Sequence, residues 1–219
     1  MTQLASNFSA FAKVAISWLG RMMPSGTPIR TLGANHRERI AAHLLALNTQ
    51  DRYLRFGYPA QDAQILRYIQ GLDFQRDEVL GIYDGQLKLV AVAHLAYGAE
   101  QAEQTSVEFG VSVLQEVRGL GYGARLFGRA AMHAGNLGVR TMFIHALSEN
   151  AAMLKIARAA GAHVQRDGSE SQAYLHLPAP TLFSRFGELV QERIAKADFR
   201  FKVRVCQIRS LVGSPTHVR

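Results

Sequence analysis

A run of alternating glycines is the segment of this chain best suited to bind a ligand. Gly119, Gly121 and Gly123 lie between Ser106–Leu114, which has the pattern of a strand, and a helical stretch that starts at about Ala124. Glycine lets the backbone approach a ligand closely, and a helix start supplies unpaired N–H groups at the positive end of the helix dipole. Together these features suit a pyrophosphate. A tight turn without a ligand is the alternative, but such a turn rarely needs three alternating glycines.

Two common phosphate-binding motifs do not fit this run. Walker A needs Gly-Lys followed by Ser or Thr, which the run lacks. In the dinucleotide motif G-x-G-x-x-G, a start at Gly121 puts Leu126 at the third glycine position, and a start at Gly119 puts Ala124 there, which some such sites accept. That motif follows the first strand of a βαβ series, whereas an antiparallel run precedes it here. The order of elements therefore argues against a dinucleotide site.

The elements that must position the glycine run are predicted in the order β-α-α-β-β-β-α-β-α-β-β. Asp84-Gly85, between Val79–Tyr83 and Leu87–Ala96, is typical of a two-residue hairpin loop. Leading hairpins favour a mixed, mostly antiparallel central sheet flanked by helices over a purely parallel doubly wound sheet. The predicted fold class is therefore α/β in the broad sense that includes α+β.

The segment Arg118-x-x-Gly121-x-Gly123-Ala124 resembles the acyl-CoA signature of the GNAT (Gcn5-related N-acetyltransferase) family, Gln/Arg-x-x-Gly-x-Gly/Ala. Asn150 and Gly161 resemble the second signature of that family, and the likeness extends over roughly residues 28–178, including the order of elements. It implies a GNAT-like fold and an acyl-CoA site. The residues it implies for that site are Val111, Ser112, Val113, Arg118, Gly119, Leu120, Gly121, Tyr122, Gly123, Ala124 and Asn150.

Two of these assignments have particular reasons. Val111-Ser112-Val113 resembles the strand segment whose backbone binds the pantetheine arm in the family. Asn150 stands where a helix N-cap is also expected, and the two roles stay open at this point.

Glu108 is the candidate catalytic residue. Alternation along Ser106–Val113 places Glu108 on one face of the strand with Gly110 and Ser112, opposite the apolar positions. GNAT enzymes often have a glutamate on this strand, which removes a proton from the attacking ammonium directly or through water. A glutamate that merely faces solvent is the alternative, and a β-bulge of the kind usual in the family would change its face.

One family feature is missing. Many GNAT enzymes carry a tyrosine seven residues after the signature asparagine, where it acts as general acid toward the leaving thiolate, and this chain has Ala157 there. Tyr122 and Tyr174 match no family motif as replacements. Because a thiolate is a good leaving group, the loss need not abolish catalysis.

A narrower resemblance lies in Leu47–Phe56, which is similar to the Leu-Ser-x-Glu-Ser-x-Tyr-x-Arg-Phe stretch of the bacterial protein-lysine acetyltransferase branch. That branch also has a glutamate at the position of Glu108 and usually lacks the tyrosine. Its members fuse the domain to a large acyl-CoA-synthetase-like partner that this sequence does not contain, so the substrate class is left open. Tyr53 and Phe56 could also simply be core residues, and Arg55 a surface or ion-paired residue.

The resemblance implies an acyltransferase that moves an acetyl or short acyl group from acyl-CoA to an amine of a small molecule or to a protein lysine. Acetyl-CoA would be the co-substrate, with no metal, since His133 and His145 lack metal-ligand spacing and are expected as surface or core residues. A strand N–H would stabilise the oxyanion. A non-catalytic acyl-CoA-binding regulator is the alternative, motivated by Ala157 and a basic tail.

Composition sets the remaining limits. The 219 residues suit one domain with extra segments, and 48% hydrophobic and 19% charged residues are typical of a globular protein. The single cysteine, Cys206, cannot form an internal disulfide, and no window of about twenty apolar residues predicts a membrane span. We therefore expect a cytoplasmic protein without membrane contact, which could form a homo-oligomer.

Three regions are predicted: an N-terminal amphipathic helix and linker over 1–27, a GNAT domain over 28–178, and a C-terminal helix and basic tail over 179–219. The net charge is +8, and Phe199–Arg219 has five basic residues and no acidic one. A solvated tail is favoured over contact with nucleic acid. Alternation of Phe199, Phe201, Val203 and Val205 with basic residues predicts a strand that packs on the domain or on a partner subunit.

Overall fold

The computed structural model describes residues 27–98 and 106–179, together with Gly187, Glu188, Ala195, Asp198 and Val203. The predicted N-terminal helix, most of the polar loop at 98–105 and most of the basic tail lie outside the described residues. All five described residues beyond 179 are helical. The strand predicted through Val203 is therefore wrong at that residue. In the sequence, Phe199 and Val203 of the predicted strand are four residues apart, a spacing that one face of a helix also gives.

The described helices and strands follow the predicted order, with one helix more. The strands are β1 (Ile29–Leu32), β2 (Glu78–Tyr83), β3 (Leu89–Tyr97), β4 (Ser106–Val113), β5 (Thr141–Leu147), β6 (His163–Asp167) and β7 (Glu170–His176). The α-helices are α1 (Arg37–Leu45), α2 (Thr49–Phe56), α3 (Asp62–Gln70), α4 (Tyr122–Asn136) and α5 (Ala151–Ala159), with short 3₁₀ turns at Ala34–His36 and Gln115–Val117.

Two local predictions need correction. α2 was not predicted as a separate helix, although Asn48 caps its start by accepting the Asp51 N–H at 2.8 Å and Gly57 ends it at φ 79°. The β2–β3 hairpin forms as predicted, but its loop is longer than two residues. The Asp84 carboxylate accepts the N–H groups of Gln86 and Lys88, which extends the turn.

The strands form one seven-stranded sheet in the order β1-β2-β3-β4-β5-β7-β6. Every neighbouring pair is antiparallel except β4–β5, which is parallel. The predicted mixed, mostly antiparallel sheet flanked by helices is therefore confirmed. Among the residues described, no helix has the length and apolar character needed to span a bilayer.

The two faces of β4 contact different helices. On one face Phe109 packs edge-on against Phe127 of α4, with ring centroids 5.0 Å apart. On the other face the Ser112 hydroxyl contacts His43 of α1. Helices therefore cover the centre of the sheet on both sides, and the apolar core lies in the two layers between them.

The centre of the sheet is opened by a divergence of β4 and β5. These strands pair only across Ser106–Glu108 and Thr141–Phe143. Beyond those residues β4 continues to Val113 beside β3, and β5 continues to Leu147 beside β7. Because both strands run in the same direction, the gap between them opens toward their carboxyl ends.

Candidate functional site

A cleft of about 270 Å³ lies where β4 and β5 diverge. Its walls come from the end of α2, the middle of β4, the end of β5, the start of α5 and the start of β7. Three predicted site residues line it, namely Glu108, Val111 and Asn150. The 3₁₀ turn at Gln115–Val117 joins the end of β4 to the glycine loop. Along the chain, the cleft-lining part of β4 therefore leads through this turn and the loop to the start of α4.

The backbone of β4 presents hydrogen-bonding groups toward this cleft. The Leu114 N–H donates to the Val90 carbonyl of β3 at 3.0 Å. Because N–H groups alternate in direction along a strand, those of Val111 and Val113 point to the opposite side, toward the space that β5 has left. Ser112 points its N–H toward β3, and its side chain is only 8% exposed. The structure thus brings Val111 and Val113, but not Ser112, to the cleft side of the strand.

The glycine loop has the backbone conformation that only glycine adopts readily. Gly119 and Gly121 have φ angles of 80° and 76°, and a Cβ added at either would meet no atom within 4 Å. Glycine is therefore required there by conformation and not by lack of space. Gly121 precedes the first residue of α4, Tyr122, and supplies no side-chain cap. The N–H groups of the first turn of α4 have no acceptors within the helix.

Other residues of the loop have structural contacts. A Cβ at Gly123 would lie 3.2 Å from Ile156 Cδ1, so glycine there lets α4 approach α5. Arg118 Nη2 lies 2.5 Å from Asp51 Oδ1, an ion pair that connects the loop to α2. The Tyr122 hydroxyl lies 3.3 Å from Thr27 Oγ1, and Leu120 is 60% exposed.

Glu108 lies on the predicted face of β4. The register between β3 and β4 is unbroken over Ala91–Tyr97 and Val107–Val113, so no bulge changes the alternation. Glu108 therefore shares a face with Gly110 and Ser112, and its exposed side chain lines the cleft. Phe143 of β5 pairs with Glu108 of β4. His145 lies two residues further along β5, on the same face as Phe143.

A directed chain of hydrogen bonds runs beside Glu108. Arg55 Nη2 donates to the Tyr68 hydroxyl at 3.0 Å, which in turn lies 2.8 Å from His94 Nδ1. His94 Nε2 lies 3.2 Å from Asp77 Oδ2. Since a carboxylate only accepts, His94 donates through Nε2 and accepts the Tyr68 proton at Nδ1. Burial, followed by the charge of Arg55, lowers the pKa of His94, which is consistent with this neutral form.

Asn150 is an N-cap, as one of its two predicted roles requires. Its Oδ1 accepts the Met153 N–H at 3.1 Å, and its Nδ2 donates to the Leu54 carbonyl at 3.4 Å. It therefore connects the start of α5 to α2 at the wall of the cleft. Ala157, one turn further into α5 than Met153, is fully buried and does not line the cleft.

Sequence reasoning missed several cleft residues. Arg55, His145, Glu170 and Ser171 line it, although His145 was expected as an ordinary surface or core residue. Alternation along β5 relative to Phe143 is the one signal that could have placed His145 here. Tyr122 and Tyr174, considered as replacements for the missing tyrosine, do not line the cleft.

Comparison with solved structures supports the fold. The chain is similar to the GNAT domain of S. lividans PAT, at 21% identity and a TM-score of 0.60, covering 69% of this chain and 90% of that one. An N-acetyltransferase from Staphylococcus aureus has 17% identity and a TM-score of 0.55, and the match covers 70% of this chain and 100% of that one. A Salmonella typhimurium protein solved with its cofactor acetyl-CoA has 18% identity and a TM-score of 0.54, with 72% and 99% covered. The S. lividans domain agrees with the narrower resemblance of Leu47–Phe56.

Comparison with protein families identifies the chain. No curated protein matches it significantly. The model of the acetyltransferase (GNAT) family matches residues 40–162, which is more than half of the chain and includes α2, β4, the glycine loop and α5. Taken with the diverging strands and the glycine loop, this match shows that the chain belongs to the GNAT family and is an N-acetyltransferase that uses acetyl-CoA.

Proposed function

We propose that the chain transfers an acetyl or short acyl group from acyl-CoA to the amine of a small molecule or a protein lysine, in the cleft between β4 and β5. The observation that carries this proposal is the continuity of the site. The cleft-facing backbone of β4 leads, through the 3₁₀ turn at Gln115–Val117, to a loop with two left-handed glycines, and that loop ends at the start of a helix. A long acyl donor with a pyrophosphate at one end matches such a path.

The donor would bind largely through backbone groups. The N–H groups around Gly119–Ala124, at the positive end of the α4 dipole, suit the pyrophosphate. Val111 offers its N–H and carbonyl, and Val113 its N–H, to the amides of the pantetheine arm, while the Val113 carbonyl accepts from Arg118 Nε at 3.4 Å. Asn150 would act at the cleft wall chiefly by holding α5 against α2.

The chemistry would take place beside Glu108. An ammonium must lose a proton before it can attack, and the exposed Glu108 carboxylate is placed to accept it. The nitrogen then forms a bond to the thioester carbonyl carbon, the carbon–sulfur bond breaks, and the thiolate leaves with the electron pair. The second proton of the nitrogen passes to the thiolate or to water, which leaves a neutral amide. A cleft-facing N–H of β4 would stabilise the oxyanion. Ala157 cannot donate a proton, but a thiolate can leave without being protonated.

The donor site is tested with Gly121→Glu. This change puts a side chain and a negative charge where the phosphates would bind, on a residue with φ 76°. Acetyl-CoA should raise the thermal midpoint of the wild type, because it binds the native state, and should leave that of the variant unchanged. Thermal unfolding with and without acetyl-CoA measures both.

Gly138→Glu is the matched control. Gly138 has φ 85° and open space around its Cα, so the change brings similar backbone strain and the same charge at the turn after α4. This control should lose stability but keep the acetyl-CoA shift. A Gly121→Glu protein that is stabilised by acetyl-CoA as strongly as the wild type would show that the loop is not the donor site.

A further inference from the structure

Arg55 is the cation of the cleft that the proposed chemistry does not use. It lies in the last turn of α2, and its guanidinium rests against the strand that carries Glu108. A Cβ added at Gly110 would be 2.7 Å from Arg55 Cζ, so the absence of a side chain at Gly110 makes room for this group. Gly110 is two residues beyond Glu108 on the same face of β4.

The guanidinium is held in one orientation. Its Nη2 donates to the Tyr68 hydroxyl at 3.0 Å, and its Cζ lies 5.1 Å from the ring centre of Phe56 and 5.5 Å from that of Tyr68. Tyr68 is itself fixed by His94. A guanidinium has five N–H donors, and the tyrosine uses one of them. The group is therefore preorganised, and donors remain for a ligand.

Within the part of the chain that the structure describes, no carboxylate forms an ion pair with the Arg55 guanidinium. Among the described residues, Arg52, Arg76, Arg118 and Arg129 each have a carboxylate within 4.0 Å, whereas Arg55 has none. Its positive charge also contributes to lowering the pKa of His94 and that of His43. A fixed cation in a cleft without a protein counter-ion favours an anionic group of a ligand.

The spacing of Arg55 and Glu108 restricts what that ligand is. Residues two apart on a strand are separated by about 7 Å, so an ammonium against the Glu108 carboxylate would lie a few ångströms from Arg55. A zwitterion with an amine next to a carboxylate complements both groups at once. A lysine side chain within a protein has no carboxylate at its amine, and a polyamine would bring a second cation toward Arg55.

We propose that the acceptor is a free amino acid, or an equivalent amine with an adjacent carboxylate, and that Arg55 binds its carboxylate while Glu108 receives its ammonium. This inference rests on the proposed function and specifies its acceptor. In this arrangement Arg55 determines acceptor specificity and takes no part in proton transfer. Gly110 contributes because its lack of a side chain leaves room for the guanidinium against β4.

The test compares matched acceptors with acetyl-CoA as donor. CoA release is measured with a panel of free L-amino acids, each paired with its carboxamide, and with spermidine and a lysine-containing peptide. The wild type should prefer at least one amino acid over its amide. In Arg55→Gln the KM for that amino acid should rise roughly 10- to 100-fold, because a charge-assisted bidentate contact is lost, while the KM values for the amide and acetyl-CoA stay the same.

Two further variants keep the test decisive if Arg55→Gln folds poorly. Gly110→Ala displaces the guanidinium without removing its charge and should raise the same KM. Arg67→Gln makes the same change of charge at an exposed position of α3 and should alter nothing. Thermal midpoints with acetyl-CoA show whether each variant is folded and binds the donor.

Three outcomes would overturn the proposal. The first is turnover with spermidine or the peptide but with no amino acid, which leaves the proposed acyl transfer intact. The second is an equal loss for the amino acid and its amide in Arg55→Gln, which would mean a structural role only. The third is no CoA release with any amine, which would overturn the proposed function as well.

Discussion

Glu108 and Arg55 show how the surroundings of a side chain separate a chemical role from a binding role. Glu108 is exposed and lines the cleft, so its oxygens can reach an incoming ammonium. Arg55 is half-buried and locked by two aromatic rings. The first residue is placed to exchange a proton and the second to hold a fixed charge.

Replacing Glu108 by glutamine tests the first role. Glu108→Gln keeps the shape of the side chain but removes the base, so kcat should fall on the order of a hundredfold or more while the thermal shift with acetyl-CoA is retained. Steady-state CoA release with the best acceptor measures the change. Glu149→Gln, an exposed carboxylate just before α5 that does not line the cleft, is the control and should keep wild-type turnover. Undiminished kcat in Glu108→Gln would leave Glu108 as a solvent-facing residue only.

At the scale of elements, a buried histidine fixes α1 to the central strands. His43 is 2% exposed, its Nδ1 lies 3.0 Å from the Leu89 carbonyl, and its Nε2 lies 2.8 Å from the Ser112 hydroxyl. The carbonyl only accepts, so Nδ1 carries the proton and Nε2 accepts from Ser112. The Ser112 side chain therefore holds β4 against α1, and Ser112 does not line the cleft.

This arrangement predicts a pH dependence of stability. Burial, the largest influence, lowers the pKa of His43 to about 4. The unfolded chain takes up the proton below about pH 6.5, but the folded protein does not until about pH 4. His43 thus favours the folded state fully above pH 6.5, and its contribution falls by about 3 kcal/mol as the pH drops from 6.5 to 4.

The comparison with His43→Gln isolates this contribution. Glutamine can donate to Leu89 and accept from Ser112 but does not titrate in this range, so the free energy of unfolding of the variant should fall less steeply between pH 7 and pH 4. Urea unfolding at four or five pH values gives both curves. Parallel curves would mean that His43 is not held neutral in the folded protein.

Local patterns predicted most elements, whereas long-range packing decided the rest. Alternation gave the face of Glu108 correctly because the β3–β4 register is unbroken. The divergence of β4 from β5 carries no local signal, since both strands are apolar and only their pairing shows where they part. The position of Arg55 in the cleft could not be predicted for the same reason, because its contact with Gly110 depends on how α2 crosses the sheet. The separation of α2 from α1 could have been read from Asn48 and Gly57.

At the scale of the whole molecule, Glu188, which lies beyond the predicted domain, contacts α4. Glu188 accepts hydrogen bonds at 2.5 Å from His133 Nδ1 and from Asn136 Nδ2, and Arg129 Nη1 lies 2.6 Å from its Oε1. Burial alone would raise the pKa of Glu188, but these hydrogen bonds and the charge of Arg129 lower it to about 2. The carboxylate thus stays ionised, and its contact with α4 weakens only as the pH falls from about 4 toward 2.

Removing this carboxylate should destabilise the protein. Arg129 is only 3% exposed, so Glu188→Gln leaves a buried cation without its partner and should cost roughly 2 to 3 kcal/mol of unfolding free energy at pH 7. A double-mutant cycle with Arg129→Met, followed by urea unfolding, measures the coupling. Losses that simply add would show that the segment around Glu188 does not stabilise the domain through this ion pair.

The divergence of β4 and β5 also bears on how the protein avoids unwanted association. An open sheet presents unpaired backbone at its two outer strands, and such rows attract strands of other molecules. Here a third row lies in the middle of the sheet, along Phe109–Val111, between helices on both faces. In the proposed donor complex the pantetheine arm lies along this row, and the helices on both faces limit the approach of a strand from another molecule. In that complex the unpaired N–H and carbonyl groups of β4 would be available to the donor while they are shielded from other copies of the protein.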